Sequence, residues 1–166
     1  MTNYVGRTVG KFFKFQLDDG TAMRDLPVNT IGGVGITNDE VDVSALQEAL
    51  KSFLLGQGSV KLTIGGPLSN SAAVAASGTG AVPALSGSHT VLVPLSGVLT
   101  TPLSFGVYLG MQQYWTAGDP VFGGINVCFV SNYTADPVAM TYSANINLHP
   151  SRTVDPIWGT AAITAS

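Results

Sequence analysis

The residues that could do chemistry are two histidines, one cysteine, one acidic run and a few large aromatics. His89 and His149 lie in different segments with no Cys or Glu at ligand spacing, short of the ligand set that zinc requires. Both read as surface or strand-end histidines. Asp39, Glu40 and Asp42 could offer oxygen ligands to calcium, but the EF-hand loop pattern is absent. Asp42 instead stands just before a segment predicted to be helical, where an anion complements the positive end of the helix dipole. No second acid sits in the apolar, aromatic setting that a paired-carboxylate hydrolase needs. The serines show no Gly-x-Ser-x-Gly elbow, and neither histidine belongs to a recognisable triad. Gly32, Gly33 and Gly35 do not have the dinucleotide-binding spacing. Catalysis has no support in the sequence, and neither cofactor nor metal is implied.

Tyr114, Trp115 and Trp158 could stack on a sugar or a base, or anchor a subunit interface. No basic residues interleave with them, so interface or core ranks first. With Asn70, Ser71, Val82 and Leu85 from the small-residue stretch 69–88, they form the candidate assembly interface. Cys128, in the apolar run INVCFV, reads as a small core residue, and a single cysteine excludes an intramolecular disulfide.

Charged residues make up 10% of the chain and apolar residues 45%, where a typical soluble domain has about 25% charged residues. Beyond residue 61 the only charges are Asp119, Asp136, Arg152 and Asp155. A free monomer keeps its surface solvated with mixed charges, so this poverty implies a surface covered by neighbours or kept neutral and passive. A net charge of −3 gives no basic footprint for gripping phosphates. There is no run of 18 apolar residues and no hydrophobic signal core in residues 1–10, so neither a membrane span nor export is expected. A chain made and used from the cytoplasm is the expectation.

These residues need elements to hold them, and the sequence reads as one domain over 1–166 with possible arms at 1–10 and 150–166. Phe13, Phe15 and Leu17 alternate with Lys14 and Gln16 as in a half-buried strand, and Asp18-Asp19-Gly20 then turns the chain back through 21–26. The spacing predicts one helix over 45–55, with Ser44 as N-cap, Gln47 completing a capping box, and Gly56 as the stop. Its stripe of Leu46, Ala49, Leu50, Phe53 and Leu54 is expected to face the core. Strands are predicted around Val60, Leu62 and Ile64 and over 89–95, 103–113, 125–130 and 141–148. The stretch 69–88 reads as a flexible loop, or as a short helix near 72–76 that orders against a neighbour. The fold class is mainly β, a β-sandwich or barrel-like domain with one flanking α-helix at about 45–55.

The order Asp42-Val43-Ser44, a short capped helix, Gly56, then VKLTIGGP and a late YSANINL strand resembles the major tail tube proteins of long-tailed bacteriophages over roughly residues 34–148. The resemblance implies a virion structural protein of the phage tail, made in the host cytoplasm. It also implies hexameric rings of this chain stacked into a tube, contacts with other phage tail proteins, and genomic DNA passing through without sequence-specific binding. A capsid decoration protein is the alternative within the same class. A carbohydrate-binding β-sandwich module, using Tyr114, Trp115 or Trp158 as its platform, is the alternative from another class.

Overall fold

A computed structural model describes residues 10–47 and 49–165. The expectation of an arm at 1–10 falls almost wholly outside these residues. The fold is mainly β, as expected, and is dominated by a single antiparallel sheet. After a 3-10 turn at Gly10–Phe12 come β1 (Phe13–Asp18), β2 (Met23–Leu26), β3 (Thr30–Gly32), β4 (Thr37–Asp42), β5 (Phe53–Ser59) and β6 (Lys61–Pro67). The helix α1 (Ser88–Leu95) follows, then β7 (Leu103–Leu109), β8 (Val121–Asp136), β9 (Thr141–Leu148) and β10 (Ile157–Gly159). The main sheet runs β2-β1-β7-β8-β9-β6-β3, with β10 also on β8, while β4 and β5 form a separate two-stranded sheet.

The long strand β8 joins the two halves of the main sheet. Its first part pairs with β7 from Val121 to Cys128, and its second part pairs with β9 from Cys128 to Asp136. Register shifts at Leu103/Phe105 and at Val130/Asn132 mark irregularities where a sheet can bend sharply. Both halves feed one core, with Phe15, Leu17, Phe105 and Phe122 from one and Leu62, Ile64, Ala144 and Ile146 from the other. Cys128 lies in this core as expected, fully buried, with its thiol donating to the Leu103 carbonyl at 3.2 Å. Burial pushes that thiol far above its ordinary range, which leaves it inert as a nucleophile.

The predicted β1–β2 hairpin is present, and Asp19 organises its turn. The Asp19 carboxylate accepts from the N–H groups of Thr21 at 2.9 Å and Ala22 at 3.0 Å, and pairs with Arg24 at 2.8 Å. Burial alone would raise this carboxyl, but the Ala22 N–H, the Arg24 side chain and the Thr21 N–H outweigh it and hold the group below its ordinary 3.8. The unfolded chain therefore binds this proton more tightly, so the contribution to stability is full above 3.8 and fades as the pH falls below it. Asp19→Ala is expected to cost about 1 kcal/mol near neutrality. In thermal melts the gap from the parent protein should narrow as the pH falls below 3.8, and a gap independent of pH would contradict this assignment.

Two elements differ from expectation. The described residues of 45–55 do not form a helix. Phe53–Ser59 is strand β5, and the Ser44 hydroxyl, expected as an N-cap, accepts from the Ser52 N–H at 2.5 Å across a hairpin. An eleven-residue helix is marginal without tertiary cover, and Leu46 and Leu50, which should have faced a core, are 102% and 84% exposed. The Asp42 carboxylate consequently caps a turn rather than a helix, accepting from the Ser44 N–H at 2.9 Å, which lowers its pKa.

The one helix among the described residues is α1, where a strand was predicted over 89–95. Its buried residues Ser88, Val91 and Leu92 sit at helical spacing, and the Ser88 hydroxyl ties it down by accepting from the Ser69 N–H and donating to the Pro67 carbonyl, each at 3.0 Å. Pro94 gives no N–H to the carbonyl four residues back, and the helix ends one residue later at Leu95.

Residues 69–87 are not helical, and hydrogen bonds within the chain hold them. Asp25 of β2 is completely buried, and its Oδ2 accepts from the Ser77 N–H at 2.8 Å, the Ser77 hydroxyl at 2.7 Å and the Ala84 N–H at 3.0 Å. Lys14 of β1, also buried, donates to the Ser77 carbonyl at 3.3 Å. Burial pulls the Lys14 ammonium down from its ordinary range while the Asp25 charge pulls it back up. One buried carboxylate thus fastens the small-residue segment over the outer face of β1 and β2, so β1 is buried on both faces.

The C-terminal segment 150–165 lies back on the body. β10 pairs with β8, and the Ile163 N–H donates to the Tyr108 hydroxyl at 2.8 Å.

Candidate functional site

β3 and β6 pair as an edge hairpin of the main sheet, with Thr30 opposite Gly65 and Gly32 opposite Thr63. Beyond a bend that contains Gly33 and Gly35, both at positive φ, the pairing resumes as β4 on β5, from Thr37 opposite Ser59 to Asp42 opposite Phe53. The two hairpins are one continuous ribbon, and its outer part, residues 37–59, leaves the body as an arm. At about 3.3 Å per residue its strands reach roughly 20 Å. A Cβ at Gly33 would collide with the Lys61 carbonyl, so the bend requires glycine on both conformational and steric grounds. Trp158 of β10 stands at the root of the arm, its ring 3.7 Å from where a Gly35 Cβ would lie and stacked at a tilt on Phe122.

Every residue of β4 and β5 is exposed. Val41, Val43, Leu46, Leu50, Phe53, Leu54 and Leu55 all present large apolar side chains to solvent, each at least 47% exposed. Asp39, Glu40 and Asp42 share the arm, which has the acidic cluster on an extended ribbon rather than ahead of a helix.

A second feature lies at the other end of β6. An open groove of about 450 Å³ runs between the start of β1, the β2–β3 connection and the segment around Val82 to Leu85. Phe13, Val28, Val82, Leu85, Tyr114 and Lys11 line it, together with the buried Lys14.

The predicted interface residues therefore separate. Tyr114, Val82 and Leu85 come together in the groove, with Val82 67% and Leu85 53% exposed. Trp158 is at the arm root, and Asn70 lies beside His89 in a shallow depression. Ser71 is exposed, and its carbonyl accepts from the Thr90 hydroxyl at 2.8 Å. Trp115 is core. It is 1% exposed, packed edge-on against Tyr108, and its indole N–H donates to the Asp119 carbonyl at 2.9 Å, so it can serve neither an interface nor a sugar platform.

Sequence reasoning gave the arm's leucines to a core-facing helix and missed them as surface.

No catalytic grouping forms among the described residues. His89 Nδ1 meets the Tyr133 hydroxyl at 3.0 Å with no carboxylate in the pair. His149 directly follows β9 but is 2% exposed, with Nδ1 accepting from the Ser151 N–H at 3.0 Å and Nε2 placed at 3.2 Å to donate to the Leu99 carbonyl. Its two ring nitrogens are thus spent on backbone groups. No three His, Cys, Asp or Glu among the described residues converge, and no described helix is long and apolar enough to cross a membrane.

No protein-family model and no curated protein matches the chain. Among solved structures the fold is similar to a chain of the sheath/tube terminator of an extracellular contractile injection system, PVC, in its extended state. The TM-score is 0.56 at 11% identity, covering 95% of this chain and 99% of that one. It is also similar to a chain in the baseplate of the anti-feeding prophage, at TM-score 0.57 and 10% identity, covering 96% of this chain and 97% of that one. At these identities the likeness is one of fold, and it extends over nearly the whole of each chain.

Proposed function

We propose that this chain is a structural subunit of a phage-tail-like assembly, a mainly β domain whose activity is to associate with copies of itself into rings that form a tube wall. The observation that carries this reading is the arm, an exposed ribbon with seven large apolar side chains. The register puts Val41 with Leu54 on one face of the ribbon and Phe53 and Leu55, opposite Asp42 and Glu40, on the other, so both faces leave large apolar side chains bare, which soluble monomers rarely do. Fully burying one Leu or Phe contributes about 1.5–3 kcal/mol, so several of them on one arm supply ample driving force for association. The full-length fold likeness to chains from a tube terminator and a baseplate supports the same reading.

In a phage tail such a tube would conduct genomic DNA, and the charge distribution suits a conduit. Lys and Arg contacts to phosphate would retard a passing duplex, whereas here six cations and six acids balance across all residues outside the arm. Sedimentation velocity over a concentration series is the test. Mass should grow with concentration into species of defined stoichiometry, and a single monomeric boundary at every concentration would contradict the reading.

A further inference from the structure

The small-residue segment over β1 and β2 encloses two charged side chains whose bonding is incomplete. Asp25 is 0% exposed and its Oδ2 takes three donors, yet its Oδ1, equally buried, has no hydrogen-bond partner. A buried acceptor without a donor is rare in a folded protein and requires a reason. Lys14 is 4% exposed, and its ammonium meets the Ser77 carbonyl at 3.3 Å and the face of the Tyr108 ring at 5.2 Å. That is thin solvation for a buried charge.

The register brings these two together. Gln16 lies opposite Asp25 in the β1–β2 hairpin, so Lys14, next along the same face of β1, is a diagonal neighbour of Asp25. Ser77 holds both reacting ends, with its carbonyl on Nζ and its N–H and hydroxyl on Oδ2. From this we infer that Lys14 and Asp25 join in an intramolecular amide, Nζ to Cγ, which ties β1 to β2 covalently. Such a link is independent of assembly.

Each step has its groups in place. A dry site favours neutral amine and acid over separated charges, so a proton passes from Nζ to Oδ1. Burial already pulls the Lys14 ammonium down, against the opposing pull of the Asp25 charge. The amine lone pair then attacks Cγ, and the negative charge that develops on Oδ2 meets the Ser77 N–H, the Ser77 hydroxyl and the Ala84 N–H, already 2.7–3.0 Å away. Fixed donors aimed at a developing oxyanion are the main source of stabilisation in acyl transfer. The Nζ–Cγ bond forms, a second proton moves from Nζ to Oδ1, and the Cγ–Oδ1 bond breaks with release of water. Ammonium and carboxylate become amide and water, with no change of oxidation state. Lys14 lines the open groove, which gives that water a way out. Holding two groups in good orientation supplies effective concentrations of about 10⁵–10⁸ M. The product removes both buried charges and the orphan oxygen together, while Oδ2 keeps its three donors as an amide oxygen.

Mass spectrometry of the intact parent protein, folded at neutral pH and then denatured, tests this. The expected mass is one water below that of the sequence. Trypsin, which cuts after unmodified lysine and arginine, should leave Lys14 uncut and yield residues 12–24 joined to residues 25–51. Lys14→Arg and Asp25→Ala should each return to the full mass of their own sequences.

A parent protein at full mass and cut normally after Lys14 overturns the link, whether or not the variants fold. A loss of water that survives Lys14→Arg, as dehydration at Asp19-Gly20 would, overturns it as well. Either result leaves self-assembly untouched.

Discussion

Removing residues 37–59 and joining Ile36 to Val60 through an Asn-Gly turn is expected to abolish assembly while leaving the body folded. The closure is geometrically available because Thr37 and Ser59 face each other across the ribbon, and Asn-Gly accepts the positive φ values of a two-residue hairpin. The body should survive because β4 and β5 pair only with each other and contribute no residue to either core cluster. Association should weaken at least 100-fold, about 2.7 kcal/mol, which the loss of one or two well-buried leucines already supplies. A melting temperature within a few degrees of the parent, together with a monomeric boundary in sedimentation, is the expected pair of results. Collapse of the body would show instead that the arm is part of the folding unit.

Asp25→Ala should have the largest effect on stability of any single polar substitution considered. The change leaves the Ser77 N–H, the Ser77 hydroxyl and the Ala84 N–H without their acceptor and strips the buried Lys14 of its nearby counter-charge. Removing one partner from a buried charged network typically costs about 3–5 kcal/mol. Chemical denaturation should show that loss in the transition midpoint. Hydrogen exchange should accelerate first across the segment 74–86, which also forms one wall of the groove. Asp25→Asn, which keeps an acceptor at the same place, should retain part of the protection. Equal exchange in the parent and both variants would mean that the segment is held by something other than this carboxylate.

The strands were legible where each one packs against a core. β9 matches its predicted span from Thr141 to Leu148, and the β1–β2 hairpin follows the Asp18-Asp19-Gly20 turn, because alternation and turn chemistry are local signals that burial reinforces. The arm was not legible for the opposite reason. Leu46, Leu50 and Leu54 satisfy helical spacing, but no surface of their own chain receives them, and the cross-strand bond from Ser52 to Ser44 closes a hairpin instead. An apolar stripe in sequence states that something covers it, without stating that the cover is intramolecular.

The helix α1 failed in the reverse direction. Val91 and Val93 carry strand propensity, yet the fold places Val91 and Leu92 on one buried side and leaves Val93 exposed.

The candidate interface was read in part for similar reasons. Val82 and Leu85 join Tyr114 at one groove through long-range bonds, among them those that Asp25 makes to Ser77 and Ala84, 52 and 59 residues away, and the Gly80 N–H to the Trp115 carbonyl. Nothing in the local sequence announces such a bond. Trp115 illustrates the ambiguity of amphipathic aromatics, since the same indole N–H that could bond a partner here bonds the Asp119 carbonyl inside the fold. The poverty of charge beyond residue 61 takes on a more specific sense beside the structure. The body is neutral, and the excess negative charge is concentrated on the one element built to leave it.

Self-assembly is the central claim, and negative-stain electron microscopy of the concentrated parent protein tests it most directly. Rings of uniform diameter, stacking into tubes of constant width, are the predicted result. Fields of separate particles of monomer size at high concentration would contradict it, and trimers without rings would move the chain to the decoration proteins of a capsid surface.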